Sequence, residues 1–442
     1  MFVCLNDLVD TLKLQFYPSD IEKEKISFNT YIDYFHNLKL EAQNIKSEDS
    51  QSRFVKTSLD GLTFRVMATS QRGFSVVLQN GDFTLSLRKM EDKSKNPIVK
   101  AEFRAEFLLR NGYKRSIKIV TDIVELMLKN YFIKVSEIHL AKDIQNYNFT
   151  IMDFYRLKTL KRNKQIFNQD TNCFYSGLKF TGFTIGKGAE MLRIYNKTHE
   201  INNAKEKAFV KYLSWDRNSE YKEDVTVWRI EFQLRREKLK ELYSSWGVIE
   251  SLDSLLNSIS SLWDYCINTF VLKDLTLREC QEIQSGYKIK NEEFIILNLE
   301  AIKKRFQRAD NHKLWEFITV FKGNIVEKLQ KIKDIAKPSA IYVKNAFKAV
   351  LSTFIKLKRG AFDSKELIDI LIQADKELQS KKNLTLLQNA QNKAIDYCSR
   401  AIDFYNHTGI DVIQFNNYQQ QLRKNLKETF QYIEISKNKK VA

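Results

Sequence analysis

The chain has 442 residues, of which 43% are hydrophobic, and its 72 Lys and Arg against 54 Asp and Glu give a formal net charge of +18. This length predicts two or three domains with real cores, and only 3 prolines and 13 glycines argue against long irregular regions. No apolar run is long enough to cross a bilayer and the first residues do not resemble a signal peptide, so we expect a cytoplasmic protein without a membrane partner.

The positive charge predicts an anionic partner, with nucleic acid favoured over a membrane surface. The alternative explanation of the charge is a basic, AT-rich genome, whose proteins are enriched in Lys, Asn and Ile whatever they bind. The five cysteines are scattered without metal-type spacing, which fits reduced thiols and excludes a structural zinc site from our expectations.

Residues 1–50 are expected to form a short helical segment and a linker. Apolar residues from Phe2 to Leu12 follow helical spacing, and the run from Tyr31 to Leu38 repeats it. Pro18 separates the two, and the polar stretch 41–52 predicts a linker.

Residues 51–240 are expected to form an α+β domain. Glycine-containing turns separate short alternating runs, and Asn80-Gly81 is a strong hairpin signal. A helix is predicted over Ser116–Lys129, and the strands predicted around it are Leu62–Ala68, Phe74–Gln79, Phe83–Arg88, Val99–Leu109, Val135–Asp143, Cys173–Leu178, Gly182–Ile185, Met191–Lys197 and Val225–Arg235. The resulting architecture is an antiparallel sheet with helices on one face.

The predicted strand Val135–Asp143 places Glu137, His139 and Asp143 on one face by period-two alternation. Two carboxylates and an imidazole in line can hold a divalent ion beside a phosphate. The alternative is a solvated strand face with one hydrogen-bonded histidine.

The predicted strand Met191–Lys197 places Tyr195 between Arg193 and Lys197 on one face. A phenol is a poor nucleophile at its ordinary pKa and needs nearby positive charge or a metal-bound phosphate to react. This setting suits a tyrosine that attacks a DNA phosphate. The alternative is a tyrosine that only packs at a strand edge.

The strand Val225–Arg235 is the clearest in the sequence, with an apolar face from Trp228 to Leu234. Its opposite face carries Glu231 between Arg229 and Arg235, and it is either plain surface or the floor of a site. The two arginines are predicted DNA contacts, together with the cations of the basic stretch 151–164, which are Lys158, Lys161, Arg162 and Lys164.

Residues 241–442 are expected to form a basic all-α domain, since no convincing strand follows residue 237. Helical periodicity predicts helices over about Lys238–Leu272, Asn291–Ala309, Lys313–Ala336, Pro338–Leu357, Ser364–Leu378, Lys382–Asn406 and Val412–Tyr432. The segment Leu275–Tyr287 is a candidate for the first helix and turn of a helix-turn-helix. Origin recognition, dimerisation and contact with a host helicase are the roles considered for this half, and the sequence does not choose among them.

Three segments in order, Ile138–Asp143, Gly182–Glu200 and Trp228–Arg235, resemble the replication initiation factor family of rolling-circle plasmids and phages, which includes relaxases of some integrative elements. The resemblance covers about residues 60–240. It implies a metal-dependent enzyme that nicks and rejoins origin DNA, single-stranded or supercoiled, through a 5′-phosphotyrosyl intermediate. The tyrosine would be Tyr195, with Lys197 and Arg193 stabilising phosphate charge.

The same resemblance implies that Asp143 and Glu231 bind Mg²⁺ or Mn²⁺. The chain departs from the family pattern at His139, where aspartate is usual, and at Glu137, where arginine is usual. His139 as a ligand would favour Mn²⁺. The alternative is a degraded metal site in a protein that only binds DNA, and a helical scaffold with a coincidental motif is a third interpretation.

Overall fold

The computed structural model describes residues 1–46, 52–92, 96–159, 173–321, 326–331, 340–360, 363–386, 388–390 and 392–393. The chain divides into two compact units, Met1–Gln330 and Lys331–Ala442. The expected boundaries at residues 50 and 240 both lie inside the first unit. The segments on either side of each boundary belong to one compact body.

The strands, in chain order, are β1 (Val3–Pro18), β2 (Phe54–Leu59), β3 (Leu62–Met67), β4 (Val76–Gln79), β5 (Phe83–Leu87), β6 (Val99–Phe103), β7 (Tyr131–Gln145), β8 (Leu157–Thr159), β9 (Cys173–Ser176), β10 (Lys179–Lys187), β11 (Glu190–Asn196), β12 (Trp228–Arg235), β13 (Leu242–Ser244), β14 (Gly247–Val248), β15 (Phe270–Leu272), β16 (Tyr287–Lys290), β17 (Glu293–Ile296) and β18 (Gln330–Lys331).

The α-helices are α1 (Ile21–Gln43), α2 (Ala105–Asn111), α3 (Tyr113–Glu125), α4 (Ile151–Arg156), α5 (Lys197–Asn203), α6 (Phe209–Leu213), α7 (Arg236–Leu239), α8 (Leu252–Asn257), α9 (Ile259–Thr269), α10 (Leu277–Ser285), α11 (Leu299–Arg308), α12 (Lys313–Phe317), α13 (Ala340–Leu357) and α14 (Ser364–Lys382).

Eleven strands form one antiparallel sheet in the order β2-β3-β4-β5-β6-β1-β7-β12-β11-β10-β9. This sheet confirms the expected α+β class. Each half of it follows the same succession: a long strand, a helix, and a meander whose last strand returns to pair with the long one. The two long strands, β1 and β7, pair with each other at the centre.

The predicted helix near residues 2–12 is wrong, because this segment is part of the central strand β1. Leu12, Leu14 and Phe16 alternate and are fully buried, as expected for a strand. The pairing of β1 with β7 shifts register at three irregularities. Such shifts change the phase of the inward-facing residues, which gave the first apolar positions a helix-like spacing. The second predicted helix is confirmed as α1.

The main core lies on one face of the sheet, and a smaller separate cluster includes Val3, Leu5 and Trp215. Ile230, Phe232 and Leu234 of β12 are fully buried in the main core, which confirms the predicted apolar face. Helices contribute Phe28 of α1 and Val120 of α3 to the same hydrophobic cluster. Several predicted bounds shift: for example, the strand from Val99 ends at Phe103 and gives way to α2, the helix predicted from Ser116 begins at Tyr113, and the strand predicted from Val225 begins at Trp228.

The expectation that no strand follows residue 237 is wrong, since β13–β17 lie within residues 242–296. The helix-turn-helix prediction is also wrong. Helix α10 ends at the left-handed Gly286 and leads into the hairpin β16–β17, so a hairpin and not a tight turn separates it from α11. Asn291 and Glu292, both with positive φ, close that hairpin.

Two predicted helices of the second unit are confirmed as α13 and α14. The last predicted helix, from Val412, lies outside the described residues, as does most of the one from Lys382.

Candidate functional site

The candidate site lies on the polar face of the four central strands β1, β7, β12 and β11. The register places Arg229 opposite both Asp143 and Tyr195, and Glu231 opposite Arg193. Directly opposed residues share a face of a sheet, so these side chains lie side by side. The strands therefore unite residues that are distant in the sequence.

Tyr195 is half-buried, and its hydroxyl donates a hydrogen bond of 3.0 Å to Glu231 Oε2. Burial and the adjacent Glu231 carboxylate raise the pKa of Tyr195 well above its ordinary value. The phenol is therefore protonated in the resting site. A base or a local positive charge is needed to turn it into a nucleophile.

Glu231 is buried and is the hub of the site. Besides the Tyr195 hydroxyl it meets His139 Nδ1 at 2.9 Å and Arg193 Nη1 at 3.5 Å. Burial alone would raise the pKa of Glu231, but the hydrogen bond and charge of His139 outweigh it and hold the pKa well below its usual range. Glu231 is thus an ionised carboxylate beside the phenol.

His139 is held between two carboxylates. Its Nε2 lies 2.8 Å from Glu137 Oε1, and its Nδ1 meets Glu231. Burial would lower the pKa of His139, but the two carboxylates raise it above the ordinary value. Both ring nitrogens can donate at once only in the imidazolium form. The arrangement therefore suits a protonated His139 when no metal ion is bound.

Asp10 joins His139 and Glu231 in a group whose candidate ligand atoms all lie within 4.8 Å of one another. It is the one group of three or more such residues found among the described residues. Two carboxylates and an imidazole are donors that Mg²⁺ or Mn²⁺ accepts. The donor set therefore fits a hard divalent cation.

Sequence analysis missed Asp10. The side chain is brought to the site by the irregularity between Val9 and Thr11 in the pairing of β1 with β7. The period-two run of Leu12, Leu14 and Phe16 was the one available signal that this segment is a strand.

Asp143 does not belong to this group. It is fully buried and accepts hydrogen bonds from Arg229 Nε at 2.6 Å, Trp215 Nε1 at 2.8 Å and Asn6 Nδ2 at 2.8 Å. Burial would raise the pKa of Asp143, but Arg229 outweighs it and lowers the pKa. Both of its oxygens accept hydrogen bonds from protein donors, and Asp143 is not a member of the candidate metal group, so this geometry favours a structural role over the predicted ligand role.

Arg229 is also fully buried, and its guanidinium binds Asp143 and Asp10. The predicted contact of Arg229 with DNA stays a prediction, although the buried guanidinium has no exposed surface in this structure and its charge lies beneath the polar face of the site. Arg235, at the end of β12, is exposed and remains available. Lys158 lies half-buried on β8, and Lys161, Arg162 and Lys164 lie outside the described residues.

The two cations predicted beside Tyr195 differ in burial. Arg193 is partly exposed and donates to Gln233 Oε1 at 2.9 Å. Lys197 is buried at the start of α5, pairs with Glu200, and lies 5.5 Å from the centroid of the Tyr195 ring. Burial, with the charge of Arg229, lowers the pKa of Lys197.

No protein-family model matches the sequence, and no curated protein matches it. Among solved structures, the chain is similar to a rolling circle replication initiator protein from Geobacillus stearothermophilus, with 11% identity and a TM-score of 0.36 over 73% of this chain and 99% of that chain. A likeness this distant carries no argument about function. Among the described residues, no helix is long and apolar enough to cross a membrane.

Proposed function

We propose that this protein is a rolling-circle DNA replication initiator, a metal-dependent nicking-closing endonuclease with Tyr195 as its nucleophile. The observation that carries the proposal is the 3.0 Å hydrogen bond from the Tyr195 hydroxyl to Glu231, which is also a member of the candidate metal group. A nucleophile, a proton acceptor and cation ligands therefore meet at one carboxylate.

In the proposed reaction, Tyr195 Oη bonds to the phosphorus of a phosphodiester and the bond to the 3′ oxygen breaks. Glu231 Oε2 accepts the phenolic proton through the hydrogen bond already in place. The 3′ oxygen takes a proton from water and leaves as a free 3′-hydroxyl, which a polymerase can extend. Because the phosphotyrosyl bond conserves the energy of the broken bond, the reverse attack rejoins the ends.

Asp10, His139 and Glu231 are the residues that would hold a divalent ion. A bound Mg²⁺ or Mn²⁺ would polarise the phosphodiester and offset its charge. Ligation by His139 requires loss of its proton and of one carboxylate contact, so binding depends on rearrangement within the site. The imidazole ligand leads us to expect a preference for Mn²⁺.

The surrounding charges support a phosphate substrate. Arg193 is partly exposed on the same face, and it can offset charge on the phosphate oxygens. Lys197 lies over the Tyr195 ring and favours the phenolate form electrostatically. The net charge of +18 suits a DNA backbone and makes binding salt-sensitive.

A non-catalytic DNA-binding protein is the second candidate. The observation that favours it is His139 between Glu137 and Glu231, because an imidazolium between two carboxylates forms a complete network without a metal ion. A conjugative relaxase of an integrated element would use the same residues on different DNA. The DNA substrate, and not the geometry of the site, therefore distinguishes a relaxase from a replication initiator.

The test is an assay for the covalent adduct. Purified protein is incubated with Mn²⁺ or Mg²⁺ and a supercoiled plasmid that carries the gene and its flanking DNA, and products are separated on denaturing gels. We expect a DNA-linked protein and a nicked circle, both lost in Tyr195→Phe and on addition of EDTA. Tyr175→Phe is the matched control, because Tyr175 is an exposed strand tyrosine on β9.

Salt-dependent binding to this plasmid without adduct or nick would overturn the catalytic proposal and support the DNA-binding protein. An adduct that survives in Tyr195→Phe would assign the nucleophile to another residue.

A further inference from the structure

The polar face that holds Tyr195 continues across the N-terminal half of the sheet as a cross-strand row. Successive registers place the members of this row directly opposite one another on eight neighbouring strands. From the outer strand β2 to β12, the row consists of Lys56, Arg65, Gln79, Thr84, Glu102, Lys13, Glu137 and Arg235. With strands about 4.8 Å apart, the row spans about 34 Å.

The row reaches the candidate site without a break. Glu137, its seventh member, is hydrogen-bonded to His139 of the site. Lys56, Arg65 and Arg235 are exposed, and the remaining members are half-buried. A ligand that lies along the row would therefore meet polar side chains from the sheet edge to the metal group.

The charge of the row favours an anion. Its two carboxylates are neutralised locally, Glu102 by Lys100 and Glu137 by Lys13. Within the described part of the chain, no carboxylate lies within salt-bridge distance of Lys56 or Arg65. Among the described residues, the outer end of the row therefore presents two cations that have no carboxylate partner.

An aromatic ring accompanies these cations. The Arg65 guanidinium lies 4.7 Å from the centroid of the half-buried Phe54 ring, which belongs to the outer strand β2. A guanidinium and an aromatic ring on an open sheet are the groups on which unpaired bases stack. The major groove of a duplex instead admits a helix or a two-stranded ribbon. A face of eight strands is too wide to enter it.

We infer that this row binds the single-stranded DNA that adjoins the nicked phosphodiester, with Lys56 and Arg65 on its backbone at the outer end. The inference rests on the proposed function and adds the path of the DNA.

The test compares the double variant Lys56→Glu/Arg65→Glu with Lys114→Glu/Arg115→Glu, whose exposed cations lie on α3 in the helical layer. The probe is a fluorescein-labelled mixed-sequence 20-mer of single-stranded DNA, with the same sequence as a duplex for comparison. Fluorescence anisotropy gives each Kd at several salt concentrations. All residues changed are exposed, and circular dichroism verifies that both variants fold.

We expect the slope of log K against log salt concentration to be shallower by about 1.4 in the row variant. Two phosphate contacts are lost, and each contact with a single strand contributes about 0.7 to the slope. Between about 50 and about 200 mM salt, wild-type affinity then falls about sevenfold more than that of the variant. The α3 variant should match the wild type, and the duplex should respond less than the single strand.

The inference is overturned if the salt dependence of single-strand binding is unchanged in the row variant, or if it changes equally in the α3 variant. It is also overturned if the row variant loses affinity for duplex DNA to the same extent, or if the wild type does not bind single strands. Failure of the proposed function is distinguishable, because adduct formation is judged on the wild type alone, whereas the row is judged on single-strand binding by the variants. If the row variant loses single-strand binding but the wild type forms no adduct, the inferred DNA path stands and the proposed enzymatic function is rejected.

Discussion

The Tyr195 hydroxyl donates a hydrogen bond of 3.0 Å to Glu231 Oε2 across two neighbouring strands, although the residue directly opposite Tyr195 is Arg229. The contact is therefore diagonal, and it sets the phenol above a buried guanidinium. The carboxylate that raises the pKa of the phenol is also placed to take its proton. In the proposed enzyme, Glu231 would therefore both keep the phenol protonated at rest and accept its proton during the reaction.

The first prediction concerns Glu231→Gln, which keeps the shape of the side chain but removes its charge and basicity. The pKa of Tyr195 should fall, yet we expect adduct formation to slow by at least about 10², because the proton acceptor and a metal ligand are lost together. Initial rates of adduct formation measure this. A rate at or above that of the wild type would show that the negative charge only inhibits Tyr195.

Gly182 lies opposite Tyr195 on β10, and the second prediction tests its lack of a side chain. A Cβ there would lie 2.4 Å from Ile194 O and 2.9 Å from Tyr195 Cβ, both too close. Gly182→Ala should therefore displace Tyr195. We expect stability to fall by about 1–3 kcal/mol and adduct formation to slow by about 10².

Gly188→Ala is the matched control for Gly182→Ala, because Gly188 has a φ of +75° in the same hairpin but nothing within 4 Å of the added Cβ. It should cost about 1 kcal/mol of backbone strain and leave the rate unchanged. Equal losses of rate in both variants would mean that the hairpin as a whole, and not the space beside Tyr195, limits the reaction.

Strand alternation predicted which faces carry several side chains of the candidate site. His139, Glu231 and Tyr195 lie on the polar faces predicted for β7, β12 and β11, and the resemblance to the replication initiation factor family assigned them to one site before the register was known. The apolar face of β12 could also be predicted, because a strand with one buried face alternates strictly between apolar and polar residues. Local patterns therefore determine which residues face the site.

Asp10 could not be predicted in this way. Its position depends on the pairing of β1 with β7, more than a hundred residues away, and on an irregularity that breaks the alternation. The burial of Asp143 under Trp215 depends on another distant contact. A local pattern gives the face of a side chain, but distant segments decide whether that face is covered.

The third prediction is a pH dependence away from the site. Burial would raise the pKa of Glu250, but hydrogen bonds from Lys134 at 2.6 Å and Arg236 at 3.0 Å outweigh it and lower the pKa. A lowered folded-state pKa adds stability that is present above the unfolded value, near 4.5, and is lost as pH falls through the folded value. Glu250→Gln should therefore cost about 1–2 kcal/mol at neutral pH and nothing in strong acid.

Denaturant unfolding at a series of pH values measures this difference. Glu223→Gln is the control, because Glu223 also pairs with a lysine, Lys211, but at an exposed site where solvent screens the charges, so its difference from the wild type should be much smaller. A constant difference between Glu250→Gln and the wild type at every pH would attribute the loss to packing and not to charge.

The fourth prediction separates the two aspartates that bind Arg229. Asp143→Asn leaves a fully buried guanidinium without one of its two carboxylates, so we expect a loss of about 3 kcal/mol in unfolding free energy. Asp10 is partly exposed, and Asp10→Asn should cost less stability while weakening Mn²⁺ binding at least about tenfold. Urea midpoints and the electron paramagnetic resonance of free Mn²⁺ measure the two effects. If folded Asp143→Asn loses Mn²⁺ binding and Asp10→Asn keeps it, Asp143 is the ligand, and the metal group must form by breaking the buried pair with Arg229.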